Sequence, residues 1–275
     1  MKSEIAILVL CFSVLIALPQ NLAAQGNTKI DSFSKAKRVL TKLYKQHQIT
    51  FYCGCKYIKK TVDHSSCGYK PKRPFYKSGK KNSRAYRIEW EHIVPAHAFG
   101  QSFKEWRDGD PKCVSKKGKP FKGRKCAGKN KDFARMEADL YNLVPAIGEV
   151  NGNRSNYSMA IIPGEIRAYG RCDVEIEGRK VEPTERIRGN IARTYLYMDS
   201  IYPNRGIISK QNRKMFEAWS SADPVDEWEP FAVNRTVQPA MFRLGDSGTG
   251  SSVARVAIFA CIMAYSSANS WIFRL

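Results

Sequence analysis

Eight cysteines limit what this 275-residue chain can fold into more than any other feature of its sequence. Cys11 lies in an apolar leader, and the other seven are Cys53, Cys55, Cys67, Cys113, Cys126, Cys172 and Cys261. In an oxidising compartment such cysteines are expected to be disulfide partners first and metal ligands second. The first three lack the second Cys-x-x-Cys half that would favour a zinc site. Seven is an odd number, so at least one thiol stays free or pairs between molecules.

The leader has the pattern of an export signal. Lys2 precedes an apolar run from Ile5 to Leu18, and small residues lead to a cleavage point after Ala24. A membrane anchor is the alternative, but the run is shorter than the roughly 20 apolar residues of a spanning helix. A lipid-modified Cys11 is disfavoured because it lies inside the run. Cleavage leaves 275 − 24 = 251 residues, so we expect a periplasmic or secreted protein without stable membrane association.

Positive charge is concentrated in two segments that contain no acidic residue. The formal net charge is +21; eight Lys or Arg residues lie in the first basic segment (residues 70–87) and nine in the second (residues 112–131). Cys113 and Cys126 flank the second and would close it into a loop. Two solvated loops are the simplest interpretation, but such segments in an exported chain favour a polyanion partner. Nucleic acid is preferred over anionic lipid or cell-wall polymer, because aromatic residues that could stack on bases interleave the first segment: Tyr69, Phe75, Tyr76 and Tyr86.

The apolar periodicity predicts a mixed α+β domain. Helices are expected over residues 31–47, 132–143 and 184–202, and a further helix is expected to begin at a Ser209 cap. Pro145 is expected to end the second of these. Residues 51–95 contain β-branched and aromatic clusters broken by Gly and Pro, which predicts short strands and turns.

Two polar motifs suggest hydrolytic chemistry. Glu91 and His92 lie side by side at the expected end of a strand, where a carboxylate can hold a hard cation and an imidazole can act as a base. Downstream, residues 141–157 are rich in carboxamides, which are uncharged oxygen ligands for Mg²⁺ or Ca²⁺. The alternatives are a buried structural His92, a Glu91 that pairs with a nearby cation, and Asn residues that cap their own turn. Neighbours on a strand point to opposite faces, so both groups reach one phosphate only if the backbone twists or breaks there.

In combination these segments resemble the bacterial endonuclease I family, which are periplasmic or secreted nucleases of the ββα-metal (His-Me finger) class. The resemblance runs from Phe51 to Trp228 through FYCGC (51–55), SCGY (66–69), EWEHIVPA (89–96), RME (135–137), GEVNG (148–152) and ARTY (192–195). It implies an α+β domain with a ββα-metal catalytic core that disulfides stabilise. It also implies that His92 is the general base and that Glu91 and Asn151 hold a single Mg²⁺ ion. Glu137 matches a supporting acidic position.

The chain departs from the family pattern in two important places. An arginine that steadies the product phosphate in the family is missing where Pro111 stands, and Lys112 or Arg107 are possible substitutes. The match ends after residue 229, so we divide the chain into a signal peptide (1–24), an endonuclease domain (25–229) and an atypical tail (230–275). The tail is expected to form a buried hairpin or a disordered segment, and it lacks family cysteines.

The sequence therefore predicts an exported, monomeric, Mg²⁺-dependent endonuclease of low sequence specificity that acts on DNA, with RNA left open as a second substrate. The isolated His47, His64 and His97 are interpreted as structural or surface residues. Two alternatives remain at this point. One is a cationic protein that binds nucleic acid without cutting it, and the other is an inactive nuclease remnant whose altered tail impairs folding.

Overall fold

The computed structural model of the protein describes residues 26–164, 167–223 and 225. Helices and short strands alternate within these residues, and the predicted α+β class is confirmed. The predicted signal peptide, the tail after residue 229 and Cys261 lie outside the described residues. Within the described part of the chain, every helix is too short or too polar to cross a membrane.

Seven short strands form three small sheets in the described residues. Strand β1 (Tyr57–Ile58) is antiparallel to β2 (Thr61–Val62), and β3 (Ile88–His92) is antiparallel to β4 (Leu143–Ile147). In the third sheet, β7 (Lys180–Pro183) lies between β5 (Ser158–Met159), to which it is parallel, and β6 (Val174–Glu177), to which it is antiparallel. The strands β1, β2 and β3 confirm the expectation of short strands over residues 51–95.

Eight α-helices occur in the described residues: α1 (Phe33–Leu43), α2 (Ala96–Gly100), α3 (Lys104–Arg107), α4 (Arg124–Ala127), α5 (Lys131–Glu137), α6 (Gly148–Arg154), α7 (Arg188–Ile201) and α8 (Lys210–Ala222). Short 3₁₀ helices precede β3, β4 and α7 at Ser83–Tyr86, Leu140–Asn142 and Glu185–Ile187. The second and third of these take up parts of segments that the sequence predicted as continuous helix.

Helix α1 is shorter than the predicted span of residues 31–47. The Ser32 hydroxyl accepts a hydrogen bond from the Lys35 amide at 3.4 Å and caps the helix, which ends before Tyr44. Its buried residues Ala36 and Leu40 belong to a small apolar cluster with Leu143 of β4. Helix α1 therefore packs on one face of the β3–β4 pair.

The expectation of one helix over residues 132–143 is wrong at its C-terminal end. Helix α5 ends at Glu137, and Leu143 already begins β4. Pro145 does not end a helix but lies inside β4, opposite Trp90 of β3. Pairing with a distant strand outweighs the local helical periodicity here, because β4 gains a full ladder and complete burial.

The C-terminal helices follow the sequence prediction closely. Residues 184–202 contain a 3₁₀ turn followed by α7, and α8 begins after Ser209, whose hydroxyl accepts from the Asn212 amide at 3.2 Å. The Tyr195 and Phe216 rings stack at a centroid distance of 4.3 Å, which joins α7 to α8.

Three disulfides show that the six cysteines of the described residues are structural. Cys55 is bonded to Cys67, Cys113 to Cys126, and Cys53 to Cys172 over a separation of 119 residues. The Cys113–Cys126 bond closes the second basic segment, as its position predicted. The long-range bond joins the segment before β1 to the segment before β6, so it ties distant parts of the chain together.

Strands β3 and β4 and helix α6 provide the frame of the candidate site. The register runs from Ile88 opposite Ile147 to His92 opposite Leu143, and β4 continues directly into α6. Helix α6 packs closely on the 3₁₀ turn before β3, since a Cβ atom at Gly152 would lie 2.4 Å from the Arg84 guanidinium. A larger residue at position 152 would therefore displace this side chain.

Candidate active site

Glu91 and His92 are the last two residues of β3, and they lie on opposite faces of the strand. The Glu91 carboxylate contacts Tyr52 and Arg154, whereas the His92 ring lies 4.9 Å from the Phe33 ring of α1. The pairing with β4 continues to His92, so the strand ends after the pair rather than between its members. Both side chains therefore belong to the last two residues of the strand.

The His92 ring is held in one orientation and one tautomer. Its Nε2 lies 2.8 Å from the backbone carbonyl oxygen of Glu137. A carbonyl can only accept a hydrogen bond, so Nε2 carries the proton and Nδ1 carries the lone pair. Nδ1 has no hydrogen-bond partner among the described residues. It is also not fully enclosed by protein atoms. It is the ring nitrogen that remains for a water molecule.

Burial also keeps the imidazole neutral. Desolvation, reinforced by the positive charges of Arg124 and Arg154, lowers the pKa of His92 to about 3, although the Glu137 carbonyl acts in the opposite direction. The ring is 6% exposed. At neutral pH His92 is therefore an uncharged base.

Burial has the opposite consequence for the neighbouring carboxylic acid. Desolvation raises the pKa of Glu91 to about 7, and the positive charge of Arg154 and a hydrogen bond from Tyr52 limit the rise. Arg154 Nη1 lies 3.1 Å from Glu91 Oε1, and the Tyr52 hydroxyl donates to the same oxygen at 3.5 Å. The interpretation of Glu91 as an ion-pair partner is therefore correct, and Oε1 is the oxygen that is occupied.

Arg154 is a buried residue whose role the sequence analysis missed. It is 1% exposed, and besides Glu91 it donates to the backbone carbonyls of His92 at 3.0 Å and Ile93 at 2.5 Å. One planar guanidinium thus holds the carboxylate and the end of β3 together. The only available sequence signal was the spacing of Asn151 and Arg154, which places both on one face of α6.

Asn151 lies on the same side of β3 as Glu91 but contacts a different carboxylate. Its Nδ2 donates to Glu89 Oε2 at 3.4 Å, and no hydrogen bond joins it to Glu91 among the described residues. Glu89 also binds Arg84 through two bonds, of 3.0 and 2.6 Å. A carboxylate only accepts, so the amide nitrogen faces Glu89 and Oδ1 remains for another partner. The sequence alone assigns no role to Glu89.

The donor set suits a hard cation that keeps most of its water. In residues 26–164, 167–223 and 225, no three His, Cys, Asp or Glu side chains converge as a metal cluster. Mg²⁺ does not need such a cage, since it binds through one or two carboxylates with waters and substrate phosphates. The second oxygen of Glu91 and the amide oxygen of Asn151 are oxygen donors on facing elements, whereas both oxygens of Glu89 already accept hydrogen bonds from arginines. The residues present therefore fit Mg²⁺ better than a softer ion such as Zn²⁺.

A family model for endonuclease I matches residues 25–241 of the chain. The chain belongs to the endonuclease I family. It is 42% identical over 230 residues to the extracellular deoxyribonuclease of Aeromonas hydrophila, which covers 81% of this chain and 88% of that protein. It is 41% identical over 206 residues to Endonuclease-1 of Buchnera aphidicola subsp. Acyrthosiphon pisum (strain APS), which covers 73% and 74%. A periplasmic deoxyribonuclease of Aeromonas hydrophila is 41% identical over 230 residues, or 81% and 86%. The predicted family is confirmed, and nuclease function is supported.

In this endonuclease I family member, Arg124 is a second cation, besides Arg154, close to the Glu91–His92 pair. Arg124 Nε lies 2.5 Å from Glu137 Oε1, and its positive charge acts on the pKa values of both members of the pair. Of the two substitutes expected from the sequence, Arg107 donates through its side chain to the Gln101 carbonyl at 2.6 Å. The backbone carbonyl of Lys112 accepts from Lys129, a contact that does not involve the Lys112 side chain.

The structure also tests the predictions for the isolated histidines and for the aromatic residues around the first basic segment. His64 is structural, with Nε2 2.9 Å from the Ala85 carbonyl, and His97 is an exposed residue beside Trp106. Tyr69 cannot stack on a base, because it is 3% exposed and donates its hydroxyl to Glu149. Phe75 is 57% exposed, so it retains a free ring.

Proposed function

We propose that this endonuclease I family member is an exported, Mg²⁺-dependent endonuclease that hydrolyses phosphodiester bonds in DNA with low sequence specificity. RNA is proposed as a second substrate, and the active form as a monomer. The observation that carries the proposal is the orientation of His92, whose Nε2–H is held by the Glu137 carbonyl so that the basic Nδ1 is available. That arrangement is what a general base for water requires.

His92 acts in this proposal by accepting a proton from the attacking water at Nδ1. Its lowered pKa keeps the lone pair available across the physiological range. The same low basicity makes it a weak acceptor, so the water must itself be acidified by a neighbouring cation. The base and a cation site are therefore needed together.

Glu91, through the oxygen that Arg154 does not occupy, and Asn151, through Oδ1, would hold the ion. Glu89 accepts from Asn151 Nδ2 and so orients the amide, which leaves Oδ1 for the ion. When bound, Mg²⁺ stabilises negative charge on the phosphate and the leaving oxygen and lowers the pKa of coordinated water. The contribution of the chain is to present these oxygens from β3 and α6. We assign β3, β4 and α6 to the ββα-metal core of the family.

Arg124 supplies the guanidinium that holds the product phosphate in this proposal. It is half-exposed, with 48% of its side chain accessible, and it lies next to the His92 face. A guanidinium can grip a phosphate through two parallel bonds, which a lysine at position 112 cannot do. The two basic segments contact backbone phosphates, which carry no direct sequence information. Low sequence specificity follows from that mode of binding.

The proposed location is periplasmic or extracellular. The relatives from Aeromonas hydrophila are named extracellular and periplasmic deoxyribonucleases. The three disulfides agree with an oxidising compartment. A leader cleaved after residue 24 and an atypical tail over residues 230–275 remain predictions.

A plasmid assay tests the proposal. Purified protein is incubated with supercoiled plasmid and Mg²⁺, with and without chelator, and the His92→Ala variant is compared with His97→Ala as the matched control. We expect chelator-sensitive nicking that His92→Ala abolishes and His97→Ala retains. An intact plasmid from a sample with native circular dichroism favours the non-catalytic binding protein. An intact plasmid from an unfolded sample favours the inactive remnant.

A further inference from the structure

The first basic segment contains a tight hairpin, residues 74–82, that presents an aromatic ring to solvent. Phe75 and Lys81 form an antiparallel bridge, and the Tyr76 amide donates to the Lys80 carbonyl at 2.8 Å. The Phe75 ring is 57% exposed, although its backbone is held in this ladder. More than half of the surface of this apolar residue is therefore open to solvent.

Asn82 fixes the base of the hairpin. It is 5% exposed. Its backbone N–H donates to the Pro74 carbonyl and its side-chain Nδ2 donates to the Arg73 carbonyl, both at 2.9 Å. Its Oδ1 accepts from the Tyr76 hydroxyl at 2.8 Å. Both strands of the hairpin are thus closed by one buried side chain, which limits the positions that the neighbouring Phe75 can take.

Glu149 connects this hairpin to the candidate active site. It is 4% exposed and lies on α6, two residues before Asn151. Its carboxylate accepts hydrogen bonds from four donors of residues 69–82, namely the Tyr69 hydroxyl, the Lys72 amide at 3.1 Å, the Arg73 amide at 2.7 Å and Asn82 Nδ2 at 3.4 Å. The helix that carries a proposed metal ligand therefore also positions the hairpin.

The surroundings of the ring indicate what it contacts. Tyr69 is buried, and Tyr86 is covered by the His64 ring at 5.0 Å and by Lys81 at 4.1 Å. Phe75 and Tyr76 are thus the accessible aromatic residues of the four that the sequence suggested, and Tyr76 is committed to Asn82 through its hydroxyl. The hairpin itself contains three lysines and no acidic residue. An exposed aromatic ring beside lysines suits a nucleic-acid strand, because the lysines can bind its phosphates and the ring can stack on an accessible base.

We propose that the hairpin 74–82 is a nucleobase-stacking element in which Phe75 stacks on an unpaired or unstacked base. The lysines beside it hold the flanking phosphates. The inference rests on the proposed function, because it assumes a nucleic-acid substrate. Base faces are hidden inside a regular duplex, so the hairpin favours single strands, or duplex steps that an apolar wedge can open.

Binding of oligonucleotides in chelator, where cleavage is suppressed, tests the inference. A labelled single strand and its duplex are titrated with wild-type protein, Phe75→Ala, Phe75→Trp and the matched control Ile161→Ala. Ile161 is 50% exposed and lies outside both basic segments, so its loss removes an exposed apolar side chain without affecting the hairpin. Circular dichroism verifies that each variant is folded.

We expect Phe75→Ala to weaken single-strand binding about tenfold, an effect within the range for loss of one base–aromatic stack. Phe75→Trp is expected to keep the affinity, and Ile161→Ala to match wild type. The salt dependence of binding should stay unchanged, because no cation is removed. With 2-aminopurine in the strand, the Phe75→Trp protein is expected to show tryptophan quenching beyond that of wild type.

Equal affinities of wild type and Phe75→Ala for the single strand would overturn the stacking inference and leave the nuclease proposal intact. Loss of affinity in Phe75→Trp to the same extent as in Phe75→Ala would also overturn it. A folded wild-type protein that binds neither oligonucleotide contradicts both proposals. The plasmid assay distinguishes these two failures, because nicking by the protein would support the nuclease proposal even when the stacking inference is wrong.

Discussion

Arg154 Nη1 lies 3.1 Å from Glu91 Oε1, and the same guanidinium donates to the backbone carbonyl of His92. Both proposed catalytic residues thus depend on one arginine that is almost inaccessible to water. A guanidinium in a buried site must be paired to be tolerated, and its Nε has no partner among the described residues. Positioning of the strand end is the function that explains its retention in the fold.

Replacing Arg154 is therefore expected to affect stability and activity together. Arg154→Met leaves the Glu91 carboxylate buried and unpaired, which typically costs about 3–5 kcal/mol. The Arg154→Met, Glu91→Gln double variant should regain part of that free energy of unfolding, because the uncompensated charge is removed. Urea denaturation measures both. Equal stabilities of the single and double variants would show that the ion pair is not the source of the loss.

The pH profile of activity should report Glu91 rather than His92. The pKa of Glu91 is raised to about 7, so protonation below that pH removes the charge that holds the ion. The pKa of His92 is lowered to about 3, so the base stays unprotonated over the same range. We expect kcat/KM to fall as the pH drops through about 7, and higher Mg²⁺ to shift this acid limb to lower pH. A limb that does not respond to Mg²⁺ concentration would contradict the assignment.

The pKa shifts of His92 and Glu91 have opposite effects on how the stability of the protein changes with pH. The lowered pKa of His92 makes the fold gain stability as pH rises from about 3 to 6.5, because the unfolded state binds more protons there. The raised pKa of Glu91 makes the fold lose stability as pH rises from 4.5 to about 7. The two slopes therefore cancel between pH 4.5 and 6.5.

Glu91→Gln removes one of these slopes. The Tm of the variant is expected to rise with pH between 4.5 and 6.5, whereas the Tm of wild type changes less over that interval. Calorimetry at several pH values gives the comparison. Parallel profiles for the two proteins would mean that Glu91 titrates normally in the fold.

Removal of the Arg124 side chain should lower kcat, whereas removal of the Lys112 side chain should change only the salt dependence of binding. Arg124→Ala is expected to lower kcat on plasmid by about tenfold or more, as for loss of one charge-assisted hydrogen bond of about 1.5–3 kcal/mol. Lys112→Ala is expected to leave kcat unchanged and to reduce the salt dependence of binding by about one phosphate contact. Steady-state kinetics at several salt concentrations distinguish the two. The reverse pattern would restore Lys112 as the phosphate-binding residue.

Local features of the sequence were sufficient for several structural predictions. The Ser209 cap defined the start of α8, and the cysteines around the second basic segment indicated their own bond. Glu91 and His92 lie at the end of a strand, as their neighbours predicted. Each of these features depends on residues close together in the chain or on the chemistry of one residue type, so a linear pattern is enough to reveal it.

The end of α5 shows where such patterns stop being sufficient. Residues 132–143 have helical periodicity, yet Leu143 enters β4 because β3 offers it a ladder and a buried face. The contacts of the candidate site have the same origin. Asn151 meets Glu89, Arg154 meets Glu91 and Arg124 meets Glu137, although these partners are distant along the chain. Periodicity reports which face of an element is apolar, whereas the choice between two acids on one face of β3 depends on how closely α6 packs.

The sequence by itself determined the family, the disulfide chemistry and the proposed catalytic pair. Only the tertiary structure decided which side chains surround that pair, because burial and convergence arise when separate elements pack together.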